Sequence, residues 1–211
     1  MVGRYFLATA LLVAAGQQPA AVPPVRLLSG SVTMVPNAVG GGEAFFEVTL
    51  DADGRVTGAT PFRTTPPFTE LLAAALRDWR FEIARTPAGI PPVSKVFVGT
   101  LFRPPAIYAS TVGVESNDAG TASNDIPRPI IRRLPAFHIR AFNPGVVLVE
   151  MRVEPDGLVS QAHVMISAPP FDELALDAAR EWKFHPAYDH GKAVASYAYV
   201  LFGFPLPIVV R

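Results

Sequence analysis

Apolar and polar residues alternate in two stretches of the chain, and each stretch ends at an Asp-Gly pair. Residues 46–50 precede Asp53-Gly54, and residues 149–153 precede Asp156-Gly157. A period of two is typical of a strand with one buried face. Asp-Gly favours a tight hairpin turn because glycine accepts a positive φ and aspartate bonds to the turn backbone. The pattern therefore predicts two hairpins, whose second strands run through 56–62 and 159–166.

A helical pattern follows each hairpin after a Pro-Pro pair. Apolar residues fall at 68, 71, 72, 75, 76 and 79, and again at 171, 174, 175, 178, 179 and 182. This spacing places them on one face of a helix that packs on the hairpin. Each helix is predicted to end in a Trp-x-Phe motif, which consists of Trp79 and Phe81 in the first case and of Trp182 and Phe184 in the second.

Apolar segments at 93–102 and 194–204 predict one further strand after each helix. The predicted order is therefore strand, strand, helix, strand. The fold class is α+β, with each unit a three-stranded antiparallel sheet that carries one packed helix.

The two units are related by an internal repeat with a constant offset of 103 residues. Residues 53–84 align without a gap on 156–187, with 14 identities in 32 columns, and both tryptophans of the chain are in register. The repeat predicts two tandem small domains, a first repeat at 31–104 and a second repeat at 135–211. Residues 105–134 have the Pro, Ser, Asn and Asp content of a linker.

The N-terminus has the features of an export signal. Arg4 precedes an apolar run over 5–15, and Ala14 and Gly16 are small residues suited to cleavage. The sequence predicts a signal peptide over 1–16, a flexible lead-in over 17–30 and a periplasmic location. The alternative is an uncleaved anchor in the inner membrane, which the run favours less because it is shorter than the ~20 residues of a membrane span.

Each repeat resembles the C-terminal domain of the TonB family. The motifs that carry the resemblance are Asp-x-Asp-Gly-x-Val at 51–56, Glu-Pro-Asp-Gly-x-Val at 154–159, and the helix that ends in Trp-x-Phe. The second repeat continues as Trp-Lys-Phe-His-Pro-Ala at 182–187, whereas the first has Ile83 in place of that proline. The Pro-x-Tyr-Pro segment that usually opens the domain is missing from both repeats.

The resemblance implies a non-enzymatic protein that binds an extended segment of an outer-membrane transport receptor by strand addition. The last strand of each repeat is then the partner-binding edge, formed by Val96, Phe97, Val98, Ala198, Tyr199 and Val200. The alternative at these strands is that the repeats pair with each other or that the chain forms a homodimer. The alternative function is a periplasmic scaffold or cell-wall-associated interaction protein with no role in transport.

The composition and the reactive side chains argue against several other functions. The 18 basic and 18 acidic residues are spread along the chain, which argues against nucleic-acid binding, and the absence of cysteine excludes a thiolate metal site or thiol nucleophile. His185, Asp189 and His190 are close enough in sequence to suggest a metal site. A solvated loop explains them better, because no third strong ligand joins the two histidines at a suitable spacing and the first repeat has no histidine. We expect no enzyme, cofactor or metal; a hydrolase or metal-binding protein is the third hypothesis.

Overall fold

The computed structural model describes residues 25–31, 41–84, 89, 93–104, 117–118, 121–136 and 143–205. The predicted signal peptide and residues 17–24 of the lead-in lie outside this part of the chain. The elements in chain order are β1 (Val25–Ser29), β2 (Gly42–Asp51), β3 (Val56–Thr64), α1 (Phe68–Leu76), β4 (Arg80–Ile83), β5 (Val93–Phe102), β6 (Asn117–Asp118), β7 (Arg128–Ile131), β8 (Gly145–Val153), β9 (Val159–Ile166), α2 (Asp172–Arg180), β10 (Lys183–His185), β11 (Ala187–Asp189), β12 (Lys192–Val194) and β13 (Ser196–Phe204).

One seven-stranded sheet contains the main strands of both repeats, in the order β6-β3-β2-β5-β13-β8-β9. Strands β5 and β13 pair in parallel, whereas the other neighbours are antiparallel. The α+β class is confirmed, and β2-β3-α1-β5 and β8-β9-α2-β13 follow the predicted order, with unpredicted short strands between each helix and the last strand. The prediction of two separate three-stranded sheets is wrong, because the last strands of the two repeats pair with each other.

The two helices lie on opposite faces of this sheet. Neighbouring residues of a strand point to opposite faces, and on β2 Phe46 packs in the cluster around α1 while Phe45 packs in the cluster around α2. Each cluster contains residues of both repeats: Leu148 joins the α1 cluster and Phe97 joins the α2 cluster. The two hydrophobic cores are therefore shared between the repeats.

Both helices are shorter than predicted and end before the tryptophan. Trp79 and Trp182 are nevertheless buried, and the residues that follow them form the short strands β4 and β10. These two strands were not predicted, because three or four residues give too short a pattern to show a period of two.

Two segments before the repeats pair with these short strands. We call residues 25–31 the first arm and residues 121–136 the second arm. β1 of the first arm pairs with β4, and β7 of the second arm pairs with β10. The predicted flexible lead-in is therefore wrong for 25–29, and the predicted linker is packed over 121–134. The physical reason is apolar burial: Leu27 and Ile126 join the α1 and α2 clusters, respectively.

Candidate partner-binding edges

The Asp-Gly turn and the Trp-x-Phe motif meet in each repeat. Gly54 and Gly157 have φ angles of 74° and 82°, and their carbonyl oxygens accept hydrogen bonds of 2.9 Å from the backbone N–H of Phe81 and Phe184, respectively. A Cβ on either glycine would overlap the phenylalanine carbonyl. Only glycine therefore suits these positions, both for conformation and for space.

Aspartates of these turns bond to the turn backbone; Asp53 and Asp156 are exposed, and Asp51 is half-buried. Asp156 Oδ1 accepts a hydrogen bond of 3.0 Å from the Leu158 N–H. In the first repeat, Asp51 Oδ1 takes this role by accepting from the N–H groups of Asp53 and Arg55. These carboxylates therefore stabilise the turns.

The two tryptophans fix the arms. Trp79 Nε1 donates to the Ser31 carbonyl at 3.1 Å, and Trp182 Nε1 donates to the Arg133 carbonyl at 3.0 Å. The motif residues that the sequence analysis singled out therefore join turn, short strand and arm into one structural unit in each repeat.

The predicted partner-binding strands lie at the centre of the sheet, which we call the seam. Ala198, Tyr199 and Val200 pair with Phe97, Val98 and Gly99, and β5 and β13 have a second neighbour in β2 and β8. Val96, the sixth predicted residue, pairs with Val48 of β2. All six predicted residues are buried. The expectation that they form an open edge is not met, because the two repeats pair through these strands.

A buried carboxylate beside the seam holds the first arm on the second repeat. Glu150 is 1% exposed, and its Oε2 accepts from the Tyr199 hydroxyl at 3.0 Å while its Oε1 accepts from Arg26 Nη2 at 3.0 Å. The Leu27 N–H donates to the Tyr199 oxygen at 2.8 Å. Burial, together with the charge of Glu150, raises the pKa of Tyr199 well above its ordinary value, so the phenol keeps its proton.

Glu47 occupies the equivalent position in the first repeat and holds the second arm. Its Oε2 accepts from the Ser123 N–H at 2.7 Å, and its Oε1 lies 2.9 Å from Lys95 Nζ. Burial alone would raise the pKa of Glu47, but the hydrogen bonds from Lys95 and Ser123 outweigh it and hold this pKa below its ordinary value. Each arm thus pairs with its own repeat and bonds to the other.

The outer strands β3 and β9 occupy equivalent positions in the two repeats but have different neighbours. β3 pairs on its outer side with β6, at Arg63 and Thr64. No strand among the described residues pairs with the outer side of β9. The strand predictions located both elements, but the sequence pattern did not indicate that they would become the sheet edges.

The histidine loop is exposed and does not form a metal cluster. His190 Nδ1 lies 2.7 Å from Asp189 Oδ1, and His185 is also exposed. Within the described ranges, no group of three or more His, Asp or Glu residues is arranged to hold a metal ion. His138 lies outside those ranges.

Comparison with known families finds a match to part of the chain. Residues 134–206 match the model of the Gram-negative bacterial TonB protein C-terminal. No curated protein matches the chain. None of the helices in the described part of the chain is long and apolar enough to span a membrane. The match supports the TonB C-terminal domain family for the second repeat, an envelope-associated family of non-enzymatic energy transducers.

Proposed function

We propose that this is an exported, periplasmic TonB-like protein that binds an extended segment of an envelope partner, such as an outer-membrane transport receptor, by strand addition. In this proposal, the first repeat is a second TonB-like unit that the family model does not reach. The observation that carries the proposal is β6, an extended segment of the connecting chain that adds antiparallel to the outer edge of β3.

Strand addition requires an edge with free backbone N–H and C=O groups. The seam strands do not offer such an edge while the repeats are paired, since each has a neighbour on both sides. Within the described residues, such an edge is offered by the outer side of β9 and by the part of β3 that does not pair with β6. We therefore place the partner segment at an outer strand, with β3 the first candidate because it already holds the short strand β6.

A second candidate function is a periplasmic scaffold without a role in transport. The seam favours it, because the strands that a receptor segment was expected to engage are used to join the two repeats. The two functions differ in the partner, which is an outer-membrane receptor for the first and a cell-wall or scaffold component for the second.

The test combines a crosslinked pull-down from the detergent-solubilised envelope with hydrogen exchange on the purified complex. Recovery of outer-membrane receptors, with slower amide exchange in β3 or β9, supports the proposal. Recovery of receptors with faster exchange in β5 and β13 indicates that the seam opens to bind them. Recovery of cell-wall or scaffold components alone favours the second function, and a pull-down without any specific partner contradicts both.

A further inference from the structure

Strand β9 is an eight-residue edge strand without charged residues or proline, and its pairing with β8 is regular over residues 161–164, between two irregularities in register. Proteins protect sheet edges with charged residues, proline, bulges or a covering segment. β9 contains no Lys, Arg, Asp, Glu or Pro between Val159 and Ile166. Its equivalent, β3, contains Gly58, Pro61 and Arg63 and is partly covered by β6. The two ends of the sheet therefore differ in their capacity to pair with a copy of themselves.

We propose that β9 pairs antiparallel with β9 of another molecule of this chain, which joins two seven-stranded sheets edge to edge. Such a contact is isologous: a residue i of one strand faces a residue j of the other and j faces i, so only residues near the two-fold axis meet their own copies. Any charged residue near the middle of the strand would then oppose its own copy, and like charges placed opposite each other are destabilising. β9 carries none.

The side chains of β9 suit this arrangement as well. Ala162 and Val164 are half-buried and pack against the α2 cluster, while His163 points to the opposite face and is exposed. A two-fold axis perpendicular to the sheet keeps each face on its own side. The half-buried apolar residues of both molecules would therefore meet on one continuous face and lose their remaining exposure to water.

The seam provides the precedent within the chain. The two repeats already join through strand pairing between β5 and β13, without a hairpin connecting those strands. The β9 dimer would also join two units by strand pairing, antiparallel instead of parallel, at the other edge of the second repeat. It leaves β3 at both ends of the joined sheet, so one dimer presents two edges to envelope partners and gains avidity for a clustered partner.

The test is sedimentation velocity of the purified chain over a range of concentrations, with two matched lysine variants. His163→Lys places like charges near the two-fold axis, whereas Thr60→Lys changes the equivalent exposed position of β3. We expect a concentration-dependent dimer for the unmodified chain and for Thr60→Lys, and at least about tenfold weaker association for His163→Lys. Circular dichroism melts check that both variants fold.

A charge-swap experiment separates direct pairing from an indirect effect. Mixing His163→Lys with His163→Glu should restore the dimer as a heterodimer, because opposite charges then meet across the axis. Amide exchange in β9 should slow as the concentration rises. A monomer at every concentration, equal association of the two lysine variants, or no restoration in the mixture would overturn the proposal, whatever the result of the pull-down.

Discussion

The two repeats share their buried framework and differ in what they present to solvent. Near the turns, the backbone of Arg55 forms an isolated β-bridge with that of Arg80 in the first repeat. In the second repeat, the equivalent β-bridge joins Leu158 and Lys183. Leu158 is 47% exposed, and Ile131, which pairs with Lys183, is 46% exposed. At this place the first repeat thus presents two arginines, with Asp53 near Arg55, and the second presents Leu158 and Ile131 beside Lys183.

The outer edges show the same division. In the first repeat, β3 contains Pro61 and Arg63 and pairs with β6, whereas in the second repeat β9 is uncharged and no described strand pairs with its outer side. The comparison teaches that the turn glycine and the Trp-x-Phe motif are common to both repeats, whereas other buried positions differ in size, as Leu72 and Leu76 differ from Ala175 and Ala179. The surfaces and edges differ as well, which leaves them free to take up separate roles.

The largest expected effect is the loss of a tryptophan from either repeat. Trp79→Ala or Trp182→Ala removes a fully buried side chain and the hydrogen bond to an arm, and should cost about 3 to 5 kcal/mol in the free energy of unfolding. Trp182 also contacts Phe45 of the first repeat, at 6.2 Å between ring centroids. Chemical denaturation should therefore show one transition for both repeats. Two separate transitions would show that the repeats are independent domains.

A smaller effect is expected at the seam. Gly203→Ala places a Cβ against the ring of Phe102 on the neighbouring β5, where there is no room for it. This overpacking should cost about 1 to 3 kcal/mol in thermal or chemical denaturation. Gly58→Ala on the outer strand β3 is the matched control, because its Cβ would make only ordinary contact with Thr49 at 3.6 Å. Equal stability of the two variants would argue against a tightly packed seam.

The contacts that hold the two arms should have the next largest effect on stability. Glu150→Ala leaves the buried Tyr199 hydroxyl without its acceptor and releases Arg26, at a cost of about 1 to 2 kcal/mol. Glu47→Ala should cost less, because Lys95 keeps Asp125 as a second partner at 3.3 Å. Denaturation measures the stability, and tryptic cleavage after Arg26 measures release of the first arm. Cleavage no faster than in the unmodified chain would contradict the role of Glu150.

The smallest expected effect is on how the stability depends on pH. The pKa of Glu47 is lower in the folded chain than in the unfolded chain, so its contribution to stability is present above the unfolded value of about 4.3 and is lost as the pH falls through the folded value. The difference in melting temperature between the unmodified chain and Glu47→Gln should therefore shrink on acidification below about pH 4. A difference that stays constant would show that the charge of Glu47 does not stabilise the second arm.

Local elements were predictable because their signals lie within a few residues. Asp53-Gly54, Asp156-Gly157 and the apolar spacing of α1 and α2 act over a single turn of chain, and the structure confirms those hairpins and helices. The short strands and the arms were missed for a different reason. Residues 25–29 form a strand only because β4 and the α1 cluster receive them.

The sequence by itself determined the α+β class, the order of the long strands and the two helices, the repeat and the motif positions, because these follow from local periodicity and from the offset of 103 residues. Only the tertiary structure decided that Val96 to Val98 and Ala198 to Val200 are central and that β3 and β9 are the outer edges. The reason is that the edge of a strand consists of backbone N–H and C=O groups, and the side-chain pattern is the same whether these groups bond to water or to another strand. Which strand it pairs with depends on backbone hydrogen bonds and shared burial between residues about 100 positions apart.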